Sequence, residues 1–334
     1  MANIFILGTG FGTALAVMAD ACGHQVSLWS RFESEIEAIR AAGEQKKLLP
    51  GVRISPRVAL TSDISFVKSA DICILAVPSF AIGEVCRLLS PALRAETVIV
   101  NVAKGFEQNT LSRLSQVISS EFPHNPVVVF SGPSHAEELA RSIPTSVVVA
   151  SENAQAADFV QDALMNDALR IYINDDLVGT EVGGALKNCI AVATGICDGL
   201  KLGDNTKAAL MTRGLTEMAR LGIAMGAKER TFAGLSGIGD LIVTCTSMHS
   251  RNRRAGILIG EGVPPADAVA QVGTVEGVSA VKAAFELAAR HKVSMPIVEQ
   301  LYGLLYGEVS YLDIVSNLMR RPKTHENETV WIRN

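Results

Sequence analysis

The sequence predicts an α/β protein in which a doubly wound, mainly parallel sheet is followed by an all-helical C-terminal domain. Three observations carry this. Short apolar runs alternate with helical periodicity up to about Ile173, the strand signal fades after about Asp175, and 334 residues are enough for two domains. The boundary is placed at 178, giving domains 1–178 and 179–334.

Strand-like runs are Ile4–Leu7, Val26–Trp29, Ile72–Val77, Val98–Val102, Val127–Phe130, Ser146–Ala150 and Leu169–Ile173. Their near-continuous apolar character suits strands covered on both faces by helices. Helical spacing predicts Thr13–Cys22, Glu33–Ala42, Phe80–Leu89, Leu111–Ser120 and Ala154–Asn166 between most of them. The second half predicts helices near Gly183–Asp198, Thr206–Met225, Arg251–Glu261, Glu276–His291 and Pro296–Tyr306. Arg320–Asn334 is polar and reads as a loosely held tail.

Composition narrows the function classes. With 48% hydrophobic and 19% charged residues, a large core is expected and global disorder is excluded. A net charge of −4 argues against an extended nucleic-acid surface. The six cysteines show no Cys-x-x-Cys spacing, and with scattered histidines no metal site is expected; they read as reduced thiols of a cytoplasmic protein. The N-terminus has no basic segment before an apolar one, so no signal peptide is expected. The helix around Lys187 comes nearest to a membrane span, but its glycines and its lysine favour a buried helix of a soluble protein.

Gly8-Thr-Gly-Phe-Gly12 directly follows the first strand and opens the first helix. Such a turn brings backbone close to a pyrophosphate, whose charge sits at the helix N-terminus. Gly8, Gly10 and Gly12 therefore mark a Rossmann-like dinucleotide site, with Phe11 beside them. The usual spacing is Gly-x-Gly-x-x-Gly, so this turn is one residue short, and Gly12, Thr13 or Ala14 must take the third glycine's packing role. At the end of the second strand, Ser30-Arg31 stands where an acidic residue usually holds the ribose of NAD. Arg31 favours NADP, with NAD as a second cofactor.

Four segments carry the chemistry. Lys104, in Asn101-Val-Ala-Lys-Gly-Phe106, follows a buried strand at its carboxyl end, where ligands meet open α/β sheets. Ser131-Gly-Pro-Ser-His-Ala136 offers Gly132, Ser134 and backbone N–H groups to an anion. Lys187 is the only basic residue between Glu181 and Asp198 and lies among small and apolar neighbours. Burial shifts a lysine's proton affinity readily, which suits proton exchange near neutral pH. Asp240, in Gly234-Leu-Ser-Gly-Ile-Gly-Asp240, suits orienting a lysine, and Arg251 suits a phosphate in a bidentate fork. Arg253 and Arg254 alone read as an ordinary solvated run.

These segments closely resemble the bacterial NAD(P)-dependent glycerol-3-phosphate dehydrogenase family. The matching stretches are Gly8–Ala16, Asn101–Glu107, Ser131–Ala140, Gly183–Leu221, Gly234–Gly256 and Val275–Gly277. The resemblance implies reversible hydride transfer between NAD(P)H and dihydroxyacetone phosphate, giving sn-glycerol 3-phosphate for glycerophospholipid synthesis. It implies Lys187 as the proton-transferring lysine, with Lys104 and Asp240 as its catalytic partners and no metal. It implies a substrate site of Lys104, Gly132, Ser134, Lys187, Asp240, Thr244, Ser250, Arg251 and Asn252. On the cofactor side it implies Gly8, Gly10, Phe11, Gly12, Arg31, Lys104, Ala136, Arg251 and Glu276, and it suggests a homodimer. Two departures stand out: the serine usual before Phe11 is missing, and His135 stands where the family usually has Phe. The competing readings are a related lysine-dependent hydroxyacid dehydrogenase and a dinucleotide-binding regulator without turnover.

Overall fold

The computed structural model describes residues 1–307, 311–323, 325 and 326. The chain forms two compact units, one of residues 1–107 with 112–180, the other of 108–111 with the chain from Glu181 onward. Residues 327–334 of the expected tail lie outside the described residues.

The first unit alternates strand and helix. In order it holds β1 (Asn3–Leu7), α1 (Phe11–Ala21), β2 (Gln25–Trp29), α2 (Glu33–Ala42), β3 (Ala59–Thr61), β4 (Ile72–Leu75), α3 (Ile82–Leu89), β5 (Val98–Asn101), α4 (Leu114–Glu121), β6 (Val127–Ser131), α5 (Ala136–Leu139), β7 (Thr145–Ser151), α6 (Ala154–Leu164) and β8 (Leu169–Asn174). The sheet order is β3-β2-β1-β4-β5-β6-β7-β8. Every pairing is parallel except β6 with β7, which is antiparallel. The order reverses beside β1, whose neighbours are β2 and β4, so the crevice at its carboxyl end opens where open α/β sheets bind ligands.

Alternation along the strands feeds two cores. Ile4 and Ile6 join Leu28, Ile72, Ile74 and Val100 on the face covered by α1 and α6. Phe5 and Leu7 join Cys73, Leu75 and Ile99 on the face covered by α3 and α4. Each such side chain, fully buried, contributes about 1.5–3 kcal/mol. A truncation such as Leu7→Ala would cost about 2–5 kcal/mol.

The sequence pattern does not reveal β3, which has only three residues, or α5, which has four. It places the helix before β6 at Leu111, but Leu111 has φ 62 and the helix begins at Leu114. It runs the third strand to Val77, whereas β4 stops at Leu75.

The remaining helices are α7 (Leu177–Gly199), α8 (Gly203–Ala224), α9 (Asp240–Thr246), α10 (Arg251–Gly260), α11 (Pro265–Val272), α12 (Glu276–His291), α13 (Pro296–Tyr306) and α14 (Tyr311–Met319). The sequence pattern predicts no helix at α9, α11 or α14. Through α7, every residue from 179 to 196 is buried. A helix buried all round has no solvent face along that stretch.

Candidate active site

Lys187 sits in that buried stretch of α7, 6% exposed. Its Nζ donates to Asp240 Oδ1 and, at 2.6 Å, to Thr244 Oγ1. Asp240 is 1% exposed and opens α9, and Thr244 lies one turn later on the same face. Thr244 in turn donates to the Asp240 carbonyl at 2.6 Å. A buried ammonium is tolerated because a carboxylate and a hydroxyl replace its water. The segment before α9 is a π turn, Leu235–Gly239, in which the Gly239 N–H reaches back five residues to the Gly234 carbonyl at 3.1 Å. Single π turns concentrate at functional positions, because the extra residue re-aims the side chains beyond it. Cys245 is no rival nucleophile, since burial pushes its thiol up to about 12.

The helix carrying Arg251 crosses α7 without side chains between them. A Cβ on Gly195 would stand 2.2 Å from the Arg253 carbonyl oxygen, and one on Gly256 2.2 Å from that of Val192. Only glycine on both helices permits this approach. One turn on, Gly199 and Gly260 repeat the pattern. The crossing is locked by Asp198, whose Oδ2 accepts from Arg253 Nε at 2.8 Å and whose Oδ1 accepts from Lys207 at 2.9 Å. Burial works to raise the Asp198 carboxyl, but the hydrogen bonds from Lys207 and Arg253 outweigh it and hold it below the usual value. Arg253 is therefore a structural pin, contrary to its reading as a solvated residue.

Ser250 and Asn252 flank Arg251, and the structure gives both of them local work. Ser250 Oγ accepts from the Arg253 N–H at 3.2 Å, capping α10. Asn252 is buried; its Nδ2 donates to Asn188 Oδ1 and its Oδ1 accepts from the Gly277 N–H, both at 2.8 Å. It thereby ties the Lys187 helix to the first turn of α12, where Glu276 is the first residue. Arg251 itself is solvent-exposed at the start of α10.

In the first unit, the turn after β1 fits a dinucleotide. Gly8 has φ +104, and a Cβ there would stand 2.5 Å from the Ala76 carbonyl oxygen, so only glycine fits. Gly12 lies against the sheet, its would-be Cβ 3.0 Å from Ile6 Cγ2 and 3.2 Å from Ala76 Cβ. In the shortened turn it is therefore Gly12 that allows the close helix–strand packing. α1 opens at Phe11, whose ring lies 6.3 Å from that of Phe130, and its first-turn N–H groups offer the positive end of a helix to a phosphate.

Arg31 pairs with Glu84 at 2.6 Å on the surface, the side chains 49% and 55% exposed. Lys104 donates to the Gly132 carbonyl at 2.9 Å, and the Ser134 hydroxyl donates to the same oxygen at 3.0 Å. Ala136 opens α5 in the same loop. The structure thus gathers Lys104, Gly132, Ser134 and Ala136 in one unit and Lys187, Asp240, Thr244, Ser250, Arg251, Asn252 and Glu276 in the other.

Sequence reasoning missed three residues around the turn. Thr9, Glu35 and Gln45 form a hydrogen-bonded group. A threonine between two glycines of a phosphate turn was the available signal.

Comparison with known proteins decides the family. Residues 3–157 match the NAD-dependent glycerol-3-phosphate dehydrogenase N-terminus, and residues 176–316 match the C-terminus of the same family. The chain belongs to the NAD-dependent glycerol-3-phosphate dehydrogenase family. It is 53% identical over 330 residues to glycerol-3-phosphate dehydrogenase [NAD(P)+] of Moorella thermoacetica, covering 98% of each chain. It is 50% identical over 332 residues to the protein of that name from Desulfitobacterium hafniense, covering 99% of this chain and 94% of the relative. The crystal structure of glycerol-3-phosphate dehydrogenase from Coxiella burnetii superposes with a TM-score of 0.92 at 38% identity, covering 96% of this chain and 99% of that one. Among the described residues, no group of three or more His, Cys, Asp or Glu is arranged to hold a metal, and no helix is long and apolar enough to cross a membrane.

Proposed function

We propose that this glycerol-3-phosphate dehydrogenase family member catalyses reversible hydride transfer between NAD(P)H and dihydroxyacetone phosphate, giving sn-glycerol 3-phosphate. The observation that carries the reading is Lys187, buried and held by Asp240 and Thr244 in a chain of this family. When bound, the reduced nicotinamide supplies the hydride that the ketone carbon accepts. Lys187 Nζ stabilises the charge growing on the ketone oxygen and gives it a proton. Asp240 and Thr244 fix the direction of that ammonium. Arg251 holds the substrate phosphate, and its remote binding energy orients the carbonyl. Lys104, fastened to the Gly132 carbonyl in the sheet unit, and Ser134 beside it are assigned to substrate binding. The glycine turn takes the pyrophosphate, Arg31 takes the 2′-phosphate of NADP, and Ala136 and Glu276 complete the cofactor contacts. The homodimer, the cytoplasmic setting and a supply of glycerol 3-phosphate to phospholipid synthesis belong to the same proposal.

The deciding measurement is the loss of nicotinamide absorbance when purified protein meets dihydroxyacetone phosphate, with NADPH and NADH in parallel. Oxidation with this substrate, and far slower oxidation with unphosphorylated dihydroxyacetone or 2-oxo acids, is expected. Folded protein that binds the dinucleotide but oxidises it with no ketone would overturn the reading. Sedimentation velocity reads the assembly state.

A further inference from the structure

We propose that Glu35 is a positioning residue, a strut that holds the glycine turn and the end of β2 in one register. It would thereby fix the spacing between the seats of the dinucleotide's pyrophosphate and adenosine ribose. This rests on the dinucleotide reading above.

Glu35 lies in the first turn of α2, and its carboxylate gathers donors from three separate places. Thr9, between Gly8 and Gly10, donates to Oε1 at 2.7 Å. Ser30, the residue after β2, donates to Oε2 at 2.5 Å. Gln45 Nε2 donates to Oε1 at 3.0 Å and to Thr9 Oγ1 at 3.1 Å. Gln45 Oε1 accepts from the Lys47 N–H at 3.1 Å. The same loop reaches over the turn, with Leu48 Cδ1 3.8 Å from where a Gly10 Cβ would stand. Thr9, Ser30 and Gln45 are all buried.

The charge of Glu35 argues for a geometric role. A carboxylate beside a seat for a doubly anionic pyrophosphate opposes the ligand electrostatically. What it offers instead is orientation, because an ionised carboxylate is acceptor-only and binds several donors at fixed positions. The turn is one residue shorter than usual, and the side-chain network spans from its middle to the strand that carries the ribose seat. A dinucleotide bridges both seats and gains from their preset spacing; adenosine, which carries no phosphate and uses only the ribose side, does not.

The test compares NADH with adenosine on the full chain. NADH binding is read by nicotinamide fluorescence, adenosine by competition, and folding by thermal midpoint and circular dichroism. Glu35→Ala and Thr9→Val are expected to raise the NADH Kd about tenfold or more, with kcat at saturating cofactor within about threefold of wild type. The adenosine Kd should move by less than about threefold. Thr9→Ser, which keeps the hydroxyl, should bind NADH like wild type. If Glu35→Ala fails to fold, Thr9→Val with its Thr9→Ser control carries the test. NADH affinity left unchanged by the folded variants would overturn the strut, as would adenosine weakened as much as NADH. Wild-type protein that binds neither ligand would remove the dinucleotide reading itself, and that is seen before any variant is made.

Discussion

The surroundings of Lys187 and of Arg31 solve opposite problems. Lys187 is a charge taken out of water and compensated at once by Asp240 and Thr244, on a helix pressed against α10 through glycines. Arg31 is a charge left in water, paired with an equally exposed Glu84. A buried pair depends on both members, because removing one strands the other. An exposed pair contributes little to the fold and is free to exchange its partner for a ligand. On the proposed function, the difference teaches where chemistry and where selectivity reside: the group assigned to proton transfer is built into the interior, the group assigned to cofactor choice is hung on the rim.

The largest effect that would break this contrast is at Lys187. Lys187→Ala should lower kcat about 10²–10⁴-fold, the usual worth of a positioned acid or base. It should also destabilise the fold by about 3–5 kcal/mol, because Asp240 is left buried and unpaired. Removing Asp240 as well should restore stability without activity, which denaturant titration beside turnover would show. A near-normal rate in the single variant would end the assignment.

Arg251→Ala should raise the KM for dihydroxyacetone phosphate about 10–100-fold, the worth of a charge-assisted hydrogen bond, and leave any activity on unphosphorylated dihydroxyacetone as it was. Equal losses on both substrates would remove its phosphate role. Gly256→Ala forces a Cβ to within 2.2 Å of the Val192 carbonyl oxygen and should cost about 1–3 kcal/mol or more, read as a lower thermal midpoint.

A subtler test lies in Glu217, which is buried on α8 and accepts from the Ile297 and Val298 N–H groups that open α13. Burial pushes its carboxyl up from 4.5 to about 7, against the pull of those two donors. The folded state thus holds this proton more tightly than the unfolded chain. Its contribution to stability is full below the unfolded value and is lost as pH rises from about 4.5 towards 7. Glu217→Gln should flatten that part of the stability profile measured by denaturant unfolding. The smallest structural effect is expected at the rim. Arg31→Gln should leave the thermal midpoint in place while NADPH binding weakens relative to NADH.

Legibility in the sequence divides along similar lines. Strands such as Ile4–Leu7 and helices such as Glu276–His291 are long or strongly periodic, and their apolar residues declare where they go. Lys187 was legible because it is the only base between Glu181 and Asp198, in a stretch otherwise small and apolar. β3 was not, since Ala-Leu-Thr has too few residues to show a period. α9 was hidden by the glycines before it, which read as loop. Arg253 looked like a surface charge because its partner Asp198 is 55 positions away. The donors around Glu35 come from three stretches of chain that only the fold brings together. Pairing across long separations leaves no local pattern.

The π turn at Leu235–Gly239 has a consequence for Asp240 that residue identities do not contain. Each residue of an α-helix advances the chain by about 100° around its axis, so one surplus residue sets the angle at which α9 begins. Deleting a residue from this turn would keep Lys187, Asp240 and Thr244 in the chain, yet rotate the carboxylate and hydroxyl out of phase with the ammonium. The alignment of the Lys187 ammonium with its two partners is written in the length of the chain, where no scan of substitutions would find it.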